Sequence, residues 1–383
     1  MLRSLVISTL YPTDYNPVFG IFVENSVRAL HKTGDIYQHV IAPQGCPPRL
    51  LQRSQRYNDL EKLPLSTMRN GIRVDYPRFF LIPQFGWPLN PYFILRSLVP
   101  HLMRLKDEGI SFDLIDAQFF YPCGVAAARL GAIFGIPVLI KARGYDITGW
   151  GQRPWAARQM LRAAKQAARL SAVSKSLQQQ MVQIGMQRDK IDIHYTGIDL
   201  DRFTLKPERP MNHPAHLVSI GSLIPRKGHD FLLRTMIHLP QDRLTIVGKG
   251  GERPKLERMI KDLGLADRVT LAGQCDYSEI PAILHKADIL VSASHREGLA
   301  NVWIEALATG TPVVATMTEG LAEVLTQPEF GKIVHERKPE CFAKAVKEIL
   351  SRNNRPEEVR KASSGFSWDV HAALKREQIG RIL

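Results

Sequence analysis

The chain has 383 residues, enough for two or three domains, and 44% of them are hydrophobic, which suits a soluble globular protein; no apolar run reaches the roughly 18 residues that a membrane-spanning helix needs. The formal net charge of +14 is uneven: residues 1–200 hold 24 Lys+Arg against 14 Asp+Glu (+10), and residues 201–383 hold 27 against 23 (+4), so the first half points to an anionic partner or else to a merely basic surface. Cys46, Cys123, Cys275 and Cys341 lack metal-type spacing and read as reduced thiols of a cytosolic protein.

Residues 2–9 are apolar, too short for a signal peptide and without a small-residue cleavage site, so they read as a first strand. The loop Tyr11 to Gly20 leads into a helix from about Ile21 to Lys32, with Val23, Val27 and Leu30 at helical spacing. Strand, glycine-bearing loop and helix is the arrangement of a phosphate cradle, which makes Gly20 a candidate ligand contact. An ordinary strand-to-helix loop reads equally well. Residues 44–70 are polar, Arg-rich and aperiodic, and read as a long surface insertion. Phe79 to Pro88 is aromatic and broken by proline, and a helix follows from about Pro91 to Lys106. Aromatics beside basic residues suit either a membrane interface or a core.

Asp113 to Gln118 reads as a strand, Pro122 to Phe134 as an Ala-rich helix and Pro137 to Lys141 as the next strand. Alternation of this kind with short connectors builds a parallel sheet covered on both faces. Ala142-Arg143-Gly144-Tyr145-Asp146 leaves the end of that strand, where open α/β sheets bind ligands. A helix from about Pro154 to Arg169 repeats Arg158, Arg162, Lys165 and Arg169 as one basic stripe, and no acidic residue occurs from Ile147 to Arg188. The stripe is either a solvated face or a contact for anionic lipid headgroups or an acceptor's phosphates. No DNA- or RNA-binding module is recognisable, so nucleic acid is not an expected partner. Ser171 to Val173 is a strand, Ser174 caps a helix over residues 175–184, and Ile191 to Tyr195 is a strand. Thr196 to Phe203 closes the half, and Pro207, Pro210 and Pro214 mark a linker.

A second series then begins. Strands are expected at Leu217–Gly221, Leu244–Val247, Val269–Leu271 and Asp288–Val291, with helices at His229–Ile237, Pro254–Leu263 and Ile280–His285. After the last strand, Glu297 opens a helix through Glu305, Gly310 stands at its C-terminal stop, and Pro312 to Ala315 restarts a strand. Glu305 is the one charged side chain between Glu297 and Glu319, and Asn301 lies one turn before it on the same face. Either the helix turns Glu305 to solvent, or two carboxylates and an amide serve a ligand at the strand end. Glu319 to Glu323 starts a short helix, residues 339–361 are helical, and Phe366-Ser367-Trp368 leads into a last amphipathic helix. The fold class is therefore α/β: two Rossmann-like domains, residues 1–203 and residues 204–365, facing a cleft, with residues 366–383 as a C-terminal helix.

These residues resemble the retaining glycosyltransferases of family 4, which have the GT-B fold; the resemblance implies that residues 1–203 form the acceptor side, that residues 204–365 bind the nucleotide-sugar, and that the C-terminal helix crosses back to the first domain. The likeness runs nearly the full length and is strongest in Gly221-Ser222-Leu223 with Arg226-Lys227-Gly228, in Val247-Gly248-Lys249-Gly250, and in the stretch Glu297 to Glu305 with its two glutamates seven residues apart. The resemblance implies transfer of a sugar from a UDP- or GDP-sugar donor to an acceptor hydroxyl with the anomeric configuration kept. The acceptor it suggests is a lipid-linked or cell-surface saccharide, made in the cytoplasm or at the inner face of the membrane. It assigns the donor diphosphate to Arg226 and Lys227, sugar hydroxyls to Glu297, the ribose hydroxyls to Glu305, and backbone contacts to Gly298, Leu299, Ala300 and Asn301. Gly221, with Gly20, Arg143 and Asp146 in the first half, completes the expected contacts. No metal or other cofactor is required, and Asp199-Leu200-Asp201 is not expected to bind one.

Two departures stand out. Many relatives carry histidines at the positions of Asp116, Gln118 or Arg143, and Glu319-Gly320 stands where a glycine pair is usual. The competing readings are an enzyme of another reaction on the same fold, a nucleotide-sugar epimerase or a phosphorylase, and a non-catalytic subunit that only binds nucleotide.

Overall fold

The computed structural model describes residues 1–17, 19–48, 60, 62–83, 85–207, 214–352 and 354–383. Pro210 of the expected linker and residues 49–59 and 61 of the expected insertion lie outside them. The chain divides into two units, Met1–Gly197 with Trp368–Leu383, and Ile198–Ser367.

The first unit is built on an eight-stranded sheet. From one edge its strands run Ile191–Ile193, Arg169–Ala172, Val138–Ala142, Leu114–Gln118, Leu2–Ile7, Ile36–Ile41, Ile72–Asp75 and Ser66–Arg69. All neighbours are parallel except the last pair. Leu5, Val6 and Ile7 are all buried, as a central parallel strand covered on both faces demands. The helix Ile21–His31 lays Val23, Val27 and Leu30 inward, and Ser174 accepts from the Leu177 N–H as the expected cap, at 3.1 Å.

Several expectations are corrected here. The strands Ile36–Ile41 and Ile72–Asp75 were not legible as elements, and Ser66–Arg69, expected in an insertion, is an edge strand. The basic helix ends at Gln166, because Arg169 opens the next strand and pairs with Asp192 at 2.5 Å; the stripe is therefore Arg158, Arg162 and Lys165, all exposed. Residues 198–203 belong to the second unit rather than the first, held by bonds from the Arg360 guanidinium to the Phe203 and Leu200 carbonyls and from the Ile198 N–H to the Phe366 carbonyl. The helical stretch 339–361 is two helices, Pro339–Arg352 and Pro356–Arg360.

The C-terminal helix Trp368–Gly380 packs in the first unit, against the helix Ile21–His31. It is not the amphipathic helix expected. Its buried face is His371, Ala372, Lys375, Gln378 and Ile379, so three of five inward residues are polar. Each finds a partner: His371 sits 2.6 Å from the Ser26 hydroxyl, Lys375 2.8 Å from Asp116, and Gln378 2.8 Å from Asp192.

The second unit is an all-parallel six-stranded sheet in the order Val269–Gly273, Arg243–Val247, His216–Ile220, Ile289–Ser292, Val313–Thr316, Gly331–Val334. The chain direction across the sheet reverses between His216–Ile220 and Ile289–Ser292. Such a reversal leaves a crevice beyond the carboxyl ends of those two strands, where loops diverge to opposite faces.

Candidate functional site

At that reversal in the second unit, two loops meet. After Ile220 the chain runs through Gly221–Ile224 into one tight turn, Pro225–Lys227, and then the helix His229–Thr235. After Ser292 it runs through residues 293–300 into the helix Asn301–Ala308. The loops are joined by the His295 N–H on the Arg226 carbonyl and by the Arg226 guanidinium on the Arg296 carbonyl, both 2.8 Å.

Glu297 is the centre of this junction. Its Oε1 accepts from Lys227 Nζ at 2.5 Å and from Ser294 Oγ at 3.1 Å, and lies 3.0 Å from Arg226 Nη1. Burial pushes the Glu297 carboxyl up, but Lys227 and Arg226 outweigh it and hold the group below its ordinary value. Two cations share one carboxylate, so the junction keeps one positive charge in excess. The Lys227 stem lies over Gly221, where an added Cβ would stand 3.3 Å from Lys227 Cε.

The helix Asn301–Ala308 starts at Ala300, whose side chain cannot cap it. The Trp303 N–H donates to the Ala300 carbonyl at 3.0 Å, which leaves the N–H groups of Asn301 and Val302, at the positive end of the helix dipole, to face a ligand. Gly298 and Leu299 are held from behind by Gly320: a Cβ there would stand 1.3 Å from the Gly298 carbonyl oxygen. Of the pair Glu319-Gly320, it is thus Gly320 that the backbone contact demands.

Glu305 does not face solvent. It is 4% exposed, and its Oε1 accepts from the Tyr277 hydroxyl at 2.8 Å. Burial pushes its carboxyl up to about 7, the Tyr277 bond only partly opposing the rise. Tyr277 packs edge-on against Phe203 and carries the Arg202 guanidinium over its ring at 5.3 Å. Sequence reasoning missed Tyr277; it lies 28 residues from Glu305, in a one-turn element between strand and helix, and no spacing rule joins the two. Glu297 and Glu305 thus have separate neighbours, cations for the first and a phenol for the second.

In the first unit, Arg143 and Gly144 leave the strand Val138–Ala142. Asp146, expected as a ligand contact, is instead fully buried and accepts from the backbone N–H groups of Phe120 (2.7 Å), Arg143 (3.0 Å) and Gly144 (2.8 Å). Burial pushes its carboxyl up, and these bonds oppose the rise. It shapes the loop and has no oxygen to spare. Arg143 donates through Nη2 to Gln118 Oε1 at 2.6 Å, while its Nε is buried without a partner. The positions where histidines are usual, Asp116, Gln118 and Arg143, are therefore in one cluster.

Gly20 is explained by its turn. It has φ 77°, and a Cβ would stand 2.4 Å from the Leu10 carbonyl carbon. The same loop borders a cavity of about 540 Å³ lined by Tyr11, Tyr15, Asn16, Gln44 and Asn90 among others. No charged side chain lines it among the described residues. That lining does not suit a phosphate cradle, which needs donors with positive character.

Residues 20–202 match the family Glycosyltransferase Family 4, and residues 202–365 match Glycosyl transferases group 1. The chain is 30% identical over 369 residues to TuaC of Bacillus subtilis (strain 168), named for glycosyl transfer in teichuronic acid biosynthesis, spanning 92% of this chain and 89% of that protein. Among solved structures, sucrose-phosphate synthase from Thermosynechococcus elongatus superposes with TM-score 0.78 at 19% identity over 100% of this chain and 98% of that one. Anabaena Alr3699/HepE in complex with UDP superposes with TM-score 0.75 at 18% identity over the whole of both chains. At these identities the structural likeness speaks for the fold alone.

Proposed function

Since the chain belongs to glycosyltransferase family 4, has the GT-B fold and is a glycosyltransferase, we propose that it takes a UDP- or GDP-sugar as donor and transfers the sugar with retention of its anomeric configuration. The observation that carries the donor reading is the excess positive charge where Lys227 and Arg226 share Glu297. Cleavage of the bond between the anomeric carbon and the diphosphate leaves its electron pair on the phosphate oxygen. Lys227, Arg226 and the open start of the helix Asn301–Ala308 are fixed in advance where that charge develops, and preorganised charge lowers the barrier because nothing must reorient during the step. The acceptor hydroxyl forms the new bond to the anomeric carbon and gives its proton to the phosphate oxygen that departs. Glu297 takes hydroxyls of the donor sugar. Glu305, an acceptor when ionised, takes the two donors of a ribose diol. These cations supply the charge stabilisation without a divalent ion.

The acceptor in this reading is a saccharide. Support comes from the cavity of about 540 Å³ in the first unit, whose tyrosine and amide lining suits sugar hydroxyls. Arg143, in the same unit, is a candidate contact for the transferred sugar or the acceptor, with its guanidinium held at one nitrogen only. The unit also offers a surface for anionic lipid: Arg158, Arg162 and Lys165 are exposed and form no ion pair among the described residues, and Phe85 on the neighbouring segment is 84% exposed. Gln159 ties that segment to the helix through the Pro88 carbonyl at 3.2 Å. No helix of the described residues is long and apolar enough to cross a membrane.

The test is a thermal-shift panel of UDP- and GDP-hexoses, followed by proton NMR of the product anomer from the donor that raises the midpoint. Retention and undiminished turnover in EDTA are expected. An inverted product refutes the stereochemical reading, and loss of turnover in EDTA refutes the metal-independent one.

A further inference from the structure

We propose that Lys375, on the C-terminal helix, is a positioning residue for Arg143 and acts through Asp116 and Gln118. Lys375 Nζ donates to Asp116 Oδ1 at 2.8 Å, Gln118 Nε2 donates to Asp116 Oδ2 at 2.7 Å, and Arg143 Nη2 donates to Gln118 Oε1 at 2.6 Å. Lys375, Asp116 and Gln118 are 2%, 3% and 1% exposed, so water cannot substitute for any of the three links.

The direction of the relay follows from what each group can do. Ammonium and guanidinium only donate, and a carboxylate only accepts. Gln118 can satisfy both neighbours in one orientation, with its NH₂ toward Asp116 and its oxygen toward Arg143. The flipped amide would set oxygen against carboxylate and NH₂ against guanidinium. Asp116 accepts at both oxygens, from Gln118 on one and Lys375 on the other, and a carboxyl group this deeply buried needs a cation beside it to offset its lost hydration. Lys375 is that cation. Lys141, also buried nearby, is no substitute, because its polar neighbour is His194 Nδ1 at 3.4 Å and it makes no bond to Asp116. The polar inner face of the helix Trp368–Gly380 has a purpose in this account, since an apolar residue at 375 would leave Asp116 unpaired.

The inference rests on the reading that Arg143 takes part in transfer, and the experiment separates the two. Lys375→Met, Arg143→Ala and the double variant are compared in the full chain, using whichever UDP- or GDP-hexose the protein turns over. Misplacement of a reacting group by about 1 Å costs on the order of 100-fold, so Lys375→Met is expected to lower kcat by about 10-fold or more with little change in donor KM. In the Arg143→Ala background the same substitution is expected to do nothing further to kcat. A fourth variant, Lys375→Met with Asp116→Asn, removes both charges. It is expected to regain the melting temperature lost in Lys375→Met but not kcat, because a neutral amide in place of the Asp116 carboxylate no longer dictates the Gln118 orientation. Undiminished turnover in Arg143→Ala overturns both the reading and the relay. An impaired Arg143→Ala with an additive Lys375→Met overturns the relay alone, as does joint recovery of stability and kcat in the fourth variant.

Discussion

Donor affinity should depend on pH through Glu305. Burial raises its carboxyl from 4.5 to about 7, and the Tyr277 hydroxyl lowers it only in part. A rise of that size corresponds to roughly 3 kcal/mol of disfavour for the ionised form in the folded protein. The sign follows directly. Because the folded state holds this proton more tightly than the unfolded state, the contribution to stability falls as pH rises from about 4.5 to about 7, and the full cost stands above that. A ribose diol donating two hydrogen bonds to the carboxylate offsets the cost, so binding expels the proton wherever it is still bound. Below about 7, donor affinity should therefore weaken by up to tenfold per pH unit, or about tenfold at pH 6 relative to pH 8. The assay is calorimetric titration with UDP-glucose and GDP-mannose at pH 6, 7 and 8. The diphospho-sugars are the right probes, since the terminal phosphate of a free nucleotide diphosphate titrates in the same range. Glu305→Gln should flatten the profile and weaken binding at pH 8 by about 1.5–3 kcal/mol, the usual worth of a hydrogen bond to a charged group. An affinity equal at pH 6 and pH 8 in the unaltered protein would refute the assignment of the diol to Glu305.

Four further outcomes are expected. Lys227→Ala should lose at least ~100-fold in turnover, as removal of one positioned donor does elsewhere, and steady-state kinetics with unchanged kcat would show that Lys227 serves only to hold Glu297. Gly320→Ala places a methyl within 1.3 Å of the Gly298 oxygen, so the loop carrying Glu297 must move; donor KM should rise about tenfold or more, and an unaltered KM would contradict the contact. Trp303 is 0% exposed, and Trp303→Ala should cost about 3–5 kcal/mol in urea unfolding without being specific to any substrate. Flotation with anionic liposomes at low salt should recover the protein with the vesicles, and the triple variant Arg158→Glu, Arg162→Glu, Lys165→Glu should stay at the bottom; equal flotation of both proteins would show that the basic helix is only a solvated face.

The order of strands and helices was legible wherever one periodicity ruled over a run of residues. Val23, Val27 and Leu30 on the first helix, and Ile289 to Val291 on the strand before Glu297, announce themselves because each local period matches a buried face. Ile36–Ile41 and Ile72–Asp75 were not legible. Gln38, His39 and Asp75 interrupt them, and only tertiary partners make those residues tolerable: Asp75 accepts from His39 at 2.8 Å and from His101 at 2.9 Å. Arg226-Lys227 and Glu297 were expected as separate motifs, and the structure joins them, with both cations converging on a single carboxylate oxygen.

What the sequence by itself determined is the two-part α/β plan and the family, because local periodicity marks the strands and helices and the motifs Arg226-Lys227 and Glu297 to Glu305 fall in the turn, loop and helix that follow two of those strands. Only the tertiary structure decided how those groups are charged. Tyr277 on Glu305, the closed shell of backbone donors on Asp146 and the reach of Lys375 to Asp116, 259 residues away, are contacts between elements with no shared period. A buried ionisable group takes its protonation from whichever partner the fold brings to it, and that partner has no fixed distance along the chain.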